Sequence, residues 1–209
     1  MDKARIHETL RRLRAEFPLQ ARMEIAPEQA QEVYAEILGA WVTEGRAPQE
    51  NRFPPDIVQY LVGLDAIAKS SQGLACYPFS IKNTGIEVHW GHSTVAAMCA
   101  IDALAIPALA RSPTTIHAAC AHCGQAVEAS VGELPPRAII ALPDRCFVYY
   151  GTPVNLSGKG CCDGLCTGIV FLCASCADPT ALPVLAMDEA VAVAEDFFAF
   201  QMNLLTIHT

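Results

Sequence analysis

The chain has 209 residues, 52% of them apolar and 17% charged, with a mean hydropathy of +0.28, which is enough to bury one substantial core and excludes intrinsic disorder. Its 14 Lys and Arg against 22 Asp and Glu give a formal net charge of −8 and a pI near 5.2, the wrong balance for a nucleic-acid footprint. Ten cysteines make up about 5% of the chain, short of the roughly 8–10% that marks a small disulfide scaffold.

The amino terminus, Met1-Asp2-Lys3-Ala4-Arg5-Ile6-His7, runs straight into a charged helical pattern without an apolar signal region, so the expectation is a cytoplasmic protein. Ile6, Leu10, Leu13 and Phe17 recur at helical spacing, and Val33, Tyr34, Ile37, Leu38 and Trp41 do so again after Pro27, which predicts two amphipathic helices. Gly45-Arg46-Ala47-Pro48 breaks the second. Pro54-Pro55-Asp56 opens a third, short helix with Ile57, Val58, Leu61, Val62 and Leu64 on one face. Phe79 and Ile81, then Ile86, Val88 and Trp90, alternate with polar residues around Asn83-Thr84-Gly85, the pattern of a β-hairpin. Three helices and a hairpin over residues 1–90 have the order of a winged-helix subdomain, read here as a packing unit because no helix carries a basic stripe.

Ser93 is placed to cap an apolar helix from Thr94, which Pro107 should end or kink near Ile106. The run Val95 to Ala110 is too short to span a membrane and is interrupted by Asp102 and Pro107. Beyond it, Thr114–Cys120, Gln125–Val131, Ala138–Leu142, Phe147–Tyr150 and Gly168–Leu172 suggest a small mixed or antiparallel sheet. A Gly- and Cys-rich loop, Ser157 to Cys166, interrupts these strands, and a last helix from about Asp188 to Leu205 turns Val191, Ala194, Phe197, Phe198 and Leu205 inward. The class is α+β, with residues 91–209 as the second domain and an all-parallel sheet disfavoured.

Cys99 and Asp102 lie three apart in the apolar helix, so their side chains share a face. A buried carboxyl beside a thiol is held towards its neutral form and can give a proton to a substrate. The competing reading is that Asp102 bonds a backbone group and Cys99 fills space. The other thiols cluster as Cys120-Ala121-His122-Cys123, Cys161-Cys162, Cys166 and Cys173-Ala174-Ser175-Cys176. Two Cys-x-x-Cys pairs can reach one tetrahedral ion, although the 49 residues between Cys123 and Cys173 exceed the roughly 12–20 of compact zinc modules. A structural zinc, a redox pair and packing are all open for Cys120, Cys123, Cys173 and Cys176. Cys76 and Cys146 read as packing. His7, His89, His92, His117, His122 and His208 show no ligand spacing, and no phosphate loop, dinucleotide fingerprint or nucleophile elbow is present.

The segment Met98-Cys99-Ala100-Ile101-Asp102-Ala103-Leu104-Ala105-Ile106-Pro107-Ala108-Leu109 resembles the signature helix of the organomercurial (alkylmercury) lyase family, in which a catalytic cysteine precedes a catalytic aspartate by three positions and Pro-Ala-Leu follows. Cys166-Thr167-Gly168-Ile169-Val170-Phe171-Leu172 is similar to that family's second catalytic cysteine and the strand after it. Cys120, Gly124 and Val127 fall where the family has a cysteine and a Gly-containing turn, and Tyr77, Phe79, Ile81, the Gly45-Arg46-Pro48 turn and the Phe197–Leu205 helix find counterparts.

The resemblance implies a winged-helix-like amino-terminal part on a family-specific α+β domain, and protonolysis of carbon–mercury bonds. Cys99 and Cys166 are then the mercury ligands and Asp102 the proton donor; mercury(II) is a soft ion that prefers thiolates. No resident cofactor is implied beyond the open structural zinc. External thiols, or a mercuric reductase as partner, would remove the product ion. Met98 before the first cysteine and Phe171-Leu172 after the second depart from the family's aromatic residues and should alter the pocket wall. Cys161, Cys162, Cys173 and Cys176 are surplus to the family's centre; Cys161 or Cys162 could relay the product or replace Cys166 as ligand. The alternatives are a lyase for another organometal, a non-enzymatic soft-metal binder or metallochaperone, and, least consistent with the charge, a transcriptional regulator. Neither nucleic acid nor membrane is expected as a partner.

Overall fold

The computed structural model describes residues 1–132, 145–151, 160–181 and 183–207, with the backbone of 139–141. Ser157, Gly158 and Lys159 of the expected loop, Ala138 and Leu142 of the expected third strand, and His208 lie outside the described residues. The fold is α+β, built from six α-helices and two antiparallel sheets among the described residues.

α1 (Lys3–Glu16) starts where the Asp2 carboxylate accepts the N–H groups of Ala4 and Arg5, an N-cap that satisfies donors the helix itself leaves open. A short α2 (Leu19–Glu24), not expected from the sequence pattern, buries Leu19 and Met23. α3 (Glu28–Glu44) buries Val33, Tyr34, Ile37, Leu38 and Trp41 and stops at Gly45, whose φ of 64° is the left-handed geometry of a helix end. There is no room for a side chain at Gly45, because a Cβ would meet Ser93 Oγ at 2.6 Å. α4 (Pro55–Gly63) carries proline in its first turn, as expected.

The larger sheet comprises β1 (Ile67–Ser70), β2 (Gly73–Cys76), β3 (Phe79–Ser80), β4 (Glu87–Trp90), β5 (Ser93–Ala97), β6 (Thr114–Ala119), β7 (Ala126–Val131) and β8 (Ile139–Ala141), in the order β1-β2-β3-β5-β4-β6-β7-β8. It is antiparallel throughout and runs across residue 90. The hairpin expected around Asn83-Thr84-Gly85 does not form. β3 pairs with β2 and β5, and β4 pairs with β5 and β6. The turn residues are otherwise engaged: Asn83 Oδ1 accepts the Gly85 N–H, and the Thr84 hydroxyl donates to the Ala97 carbonyl at 2.6 Å. The tight turn lies instead at Gly91, at φ 53°, between Trp90 and Ser93.

This pairing also displaces the expected helix start. Thr94–Ala97 belong to β5, and α5 spans Ala100–Ala110 with Cys99 as its N-cap in place of Ser93. Pro107 does not end it. All ten residues from Ala100 to Leu109 are buried, and burial on every face offsets the one helical bond that a proline removes. The helix ends at Arg111, at φ 48°.

The smaller sheet is β9 (Cys146–Tyr150) between β10 (Ile169–Cys173) and β11 (Val184–Ala186). α6 (Met187–Ile207) buries Val191, Ala194, Phe197, Phe198 and Leu205 and packs against α1, α3, α5 and β9. By length and composition it is the one described helix able to cross a membrane, and half of that apolar window is buried inside the molecule. A continuous apolar cluster extends from Leu10 on α1 to Leu205 on α6, with α5 in its middle.

Candidate active site and thiolate clusters

The end of β5 brings the chain into the core at Cys99. There the thiol sulfur accepts the Asp102 N–H at 3.4 Å and so caps α5. The same turn of helix carries the Asp102 carboxyl back towards the cap. Cys166 arrives from elsewhere in the sequence, on a short 3-10 turn (Leu165–Gly168) leading into β10, and its thiol donates to Asp102 Oδ2 at 3.7 Å. One ligand atom from each of Cys99, Asp102 and Cys166 lies within 4.8 Å of the others, and all three residues are buried.

Electrostatics keep both thiols protonated and bring the carboxyl close to half-protonation near neutral pH. Burial pushes the Asp102 carboxyl up to about 7, opposed by hydrogen bonds from Cys99 and Cys166. Burial likewise pushes the Cys99 thiol up to about 12. The Cys166 thiol is pushed well above its ordinary value by its contacts with Cys161 and Cys99 and then by burial. Metal binding to either sulfur must therefore release a proton inside the core, and Asp102 is the adjacent acceptor.

A third thiol joins the pair. Cys161 Sγ lies 3.6 Å from Cys166 Sγ, whereas Cys162 is half-buried with its backbone N–H donating to the Tyr77 hydroxyl at 2.8 Å. Asp65, at φ 54°, fixes this loop by accepting the Cys161 N–H at 2.8 Å. Gly160 makes that approach feasible, since a Cβ there would meet Asp65 Oδ1 at 2.7 Å. Sequence reasoning missed both anchors, because Asp65 and Tyr77 are about 100 and 85 positions away from the loop in the chain and no local pattern marks them.

The thiols and the carboxyl line a small pocket of about 10 Å³, walled by Leu13, Phe17, Tyr77, Leu165, Phe197 and Phe198. That is room for roughly one water. Met98, Phe171 and Leu172, expected to shape the wall, do not line it; aromatic and aliphatic side chains of α1 and α6 do.

A second cluster lies apart from the first. Cys120, Cys123, Cys173 and Cys176 bring their sulfurs within 4.8 Å of one another, with 3.6 Å between those of Cys123 and Cys173. Cys120 and Cys123 occupy the turn joining β6 to β7, Cys173 is the last residue of β10 and Cys176 lies in the turn after it. Burial raises the Cys120 thiol, but the backbone N–H groups of Cys173, Cys123 and His122 outweigh it and bring the thiol down to about 6. Cys76 and Cys146 are buried outside both clusters. His7, His92, His117 and His122 are exposed, and none of the described histidines joins a cluster.

Residues 79–178 match the family model described as MerB, alkylmercury lyase. No curated protein matches the chain. Among solved structures, the crystal structure of the mercury-bound form of MerB2 is similar with a TM-score of 0.67 and 18% sequence identity, covering 88% of this chain and 96% of that one. The likeness to that structure is one of fold. The matched segment holds Cys99, Asp102 and Cys166, so the match to the alkylmercury lyase model falls on the residues that carry the resemblance in the sequence.

Proposed function

We propose that the protein is an organomercurial lyase in which Cys99 and Cys166 bind the mercury of R–Hg–X and Asp102 delivers the proton that releases R–H. The observation that supports this most directly is the convergence of two thiols and one buried carboxyl on a single point of the core. A carboxylate alone would hold mercury poorly, whereas two soft sulfur ligands suit it.

The proton path follows the contacts. The Cys166 thiol, hydrogen-bonded to Asp102 Oδ2, passes its proton to the carboxylate as its sulfur takes the mercury. Cys99 adds as the second sulfur, and the N-terminus of α5 at the Asp102 N–H favours its thiolate. Two thiolates raise electron density at mercury and at the bonded carbon. Asp102 then protonates that carbon, the C–Hg bond breaks, and mercuric ion stays between the sulfurs. Of the two thiol protons, one ends on carbon and the other leaves with X⁻ as HX. Apolar walls suit the R group.

Cys161, 3.6 Å from Cys166, is proposed as the thiol to which the product ion passes on its way to external thiols or a mercuric reductase. Half-buried Cys162 is the next sulfur towards solvent. The test is benzene release from a phenylmercuric salt by reduced protein in excess thiol. Cys99→Ser, Cys166→Ser and Asp102→Ala should each abolish release, and turnover surviving in Asp102→Ala would remove that residue as proton donor. Cys161→Ser should keep the first turnover and slow the later ones. Tight mercury binding without hydrocarbon release from any organometal would favour the metallochaperone reading.

A further inference from the structure

We propose that Cys120, Cys123, Cys173 and Cys176 form a four-thiolate structural zinc site that fastens the β6–β7 turn to the end of β10. The site is separate from the reacting centre, and the inference does not depend on the lyase reading.

The local geometry is that of two metal-binding turns facing each other. In the first, Cys120-Ala121-His122-Cys123-Gly124, the Gly124 N–H donates to the Cys120 carbonyl at 2.9 Å and Gly124 takes a φ of 75°, a left-handed conformation that glycine adopts without strain. In the second, Cys173-Ala174-Ser175-Cys176, the N–H groups of Cys176 and Ala177 both donate to the Cys173 carbonyl at 3.0 Å. Each turn points two sulfurs the same way. The Ala121 N–H donates to the Phe171 carbonyl at 3.0 Å and sets the two turns against each other.

The spacing of the sulfurs fits one small ion. Four thiolates at about 2.3 Å from a zinc ion in a tetrahedron lie about 3.8 Å apart. Here all four sulfurs are within 4.8 Å of one another and the Cys123–Cys173 pair is at 3.6 Å. All four ligand positions are filled by protein sulfur, which leaves no open position for a reacting group and marks a structural site. Packing accounts poorly for Cys123, which is exposed. A disulfide would join only two of the four, at about 2.05 Å.

The location gives the ion a mechanical task. β6 and β7 belong to the large sheet and β10 to the small one, so the ion would join the two sheets. β10 begins three residues after Cys166, so the staple also fixes the strand from which that cysteine hangs.

Metal analysis of full-length protein, purified under reducing conditions without chelator, should find about one zinc per chain. The Cys99→Ser/Cys166→Ser double variant should retain it, placing the ion away from the reacting centre. Cys123→Ser alters an exposed side chain, so a packing role predicts no effect. The zinc site predicts loss of the metal and a thermal midpoint lower by roughly 10 °C or more. Cys123→His should restore zinc and stability, because imidazole serves in a three-sulfur, one-nitrogen site. Replacing zinc by cobalt(II) should give the intense absorption of tetrahedral thiolate coordination. Metal-free wild type with four freely alkylated thiols, a Cys120–Cys123 or Cys173–Cys176 disulfide in the native protein, or a Cys123→Ser variant as stable as wild type would each overturn the proposal.

Discussion

At the residue scale, Cys99 and Asp102 each serve structure and chemistry at once. The Cys99 sulfur is the N-cap acceptor of α5, and serine is among the preferred N-cap residues. Cys99→Ser should therefore leave the urea unfolding midpoint at or slightly above that of wild type while the tight mercury stoichiometry falls. That separates loss of a ligand from loss of fold. Asp102 sets a pH dependence. Its folded value, raised by burial from 3.8 to about 7, means that the folded state holds a proton the unfolded state has already released between those limits. Stability contributed by this group is complete below about pH 4, falls as pH rises towards about 7 by about 1.4 kcal/mol per unit, and is flat above. Asp102→Asn should lack this slope when unfolding free energies are compared between about pH 5 and about pH 8. An equal slope in both proteins would show that Asp102 is not the group that titrates. The three-residue spacing of Cys99 and Asp102 was legible in the sequence because helical periodicity is local. Cys161 was readable as a surplus thiol that could relay the product or replace Cys166, but the sequence does not separate it from Cys162; its 3.6 Å approach to Cys166 does.

At the element scale, the sequence pattern gave the helices more reliably than the strands between them. α3 and α6 were legible because their apolar residues repeat at helical spacing over many turns. β5 was read as the start of a helix because Thr94–Ala97 is short and apolar, and its status as a strand depends on partners in β3 and β4. A period-2 run of five residues cannot reveal its register until the neighbouring strand is known. The elements also govern access to the site. Leu13 on α1 and Phe17 at its C-cap cover a pocket of about 10 Å³, too small for a phenyl or alkyl group. Substrate must displace part of this cover. Leu13→Ala should cost about 2–5 kcal/mol of stability and lower KM for a bulky arylmercuric salt more than for a methylmercuric one, measured in the hydrocarbon-release assay. Equal KM changes for both would place the route of access elsewhere. Tyr77→Phe removes the acceptor of the Cys162 N–H and a partner of Asp65. It should cost about 1–3 kcal/mol and raise the alkylation rate of Cys161 and Cys162 as the loop loosens.

At the scale of the whole molecule, the core is tied by a few polar contacts between distant segments. Gln201 on α6, fully buried, donates to the Tyr34 hydroxyl at 2.6 Å and to the Tyr77 carbonyl at 2.7 Å, joining α6, α3 and the chain entering β3. Gln201→Ala should cost about 2–4 kcal/mol, the sum of a cavity and an unpaired buried hydroxyl, as read from chemical unfolding. A change under 1 kcal/mol, roughly the scale of a surface substitution, would show that these contacts carry little. By itself the sequence determined the class, the principal helices, the thiol excess, the Cys99–Asp102 pair and the family resemblance. Each of these rests on local spacing or on a short motif. Tertiary structure alone decided which sulfurs meet. Cys166 reaches Asp102 across 64 positions, and Cys120 with Cys123 meets Cys173 with Cys176 across about 50. Those meetings depend on strand register and on β10 leaving the core beside the β6–β7 turn, and contacts of long sequence separation leave no periodic trace in the chain.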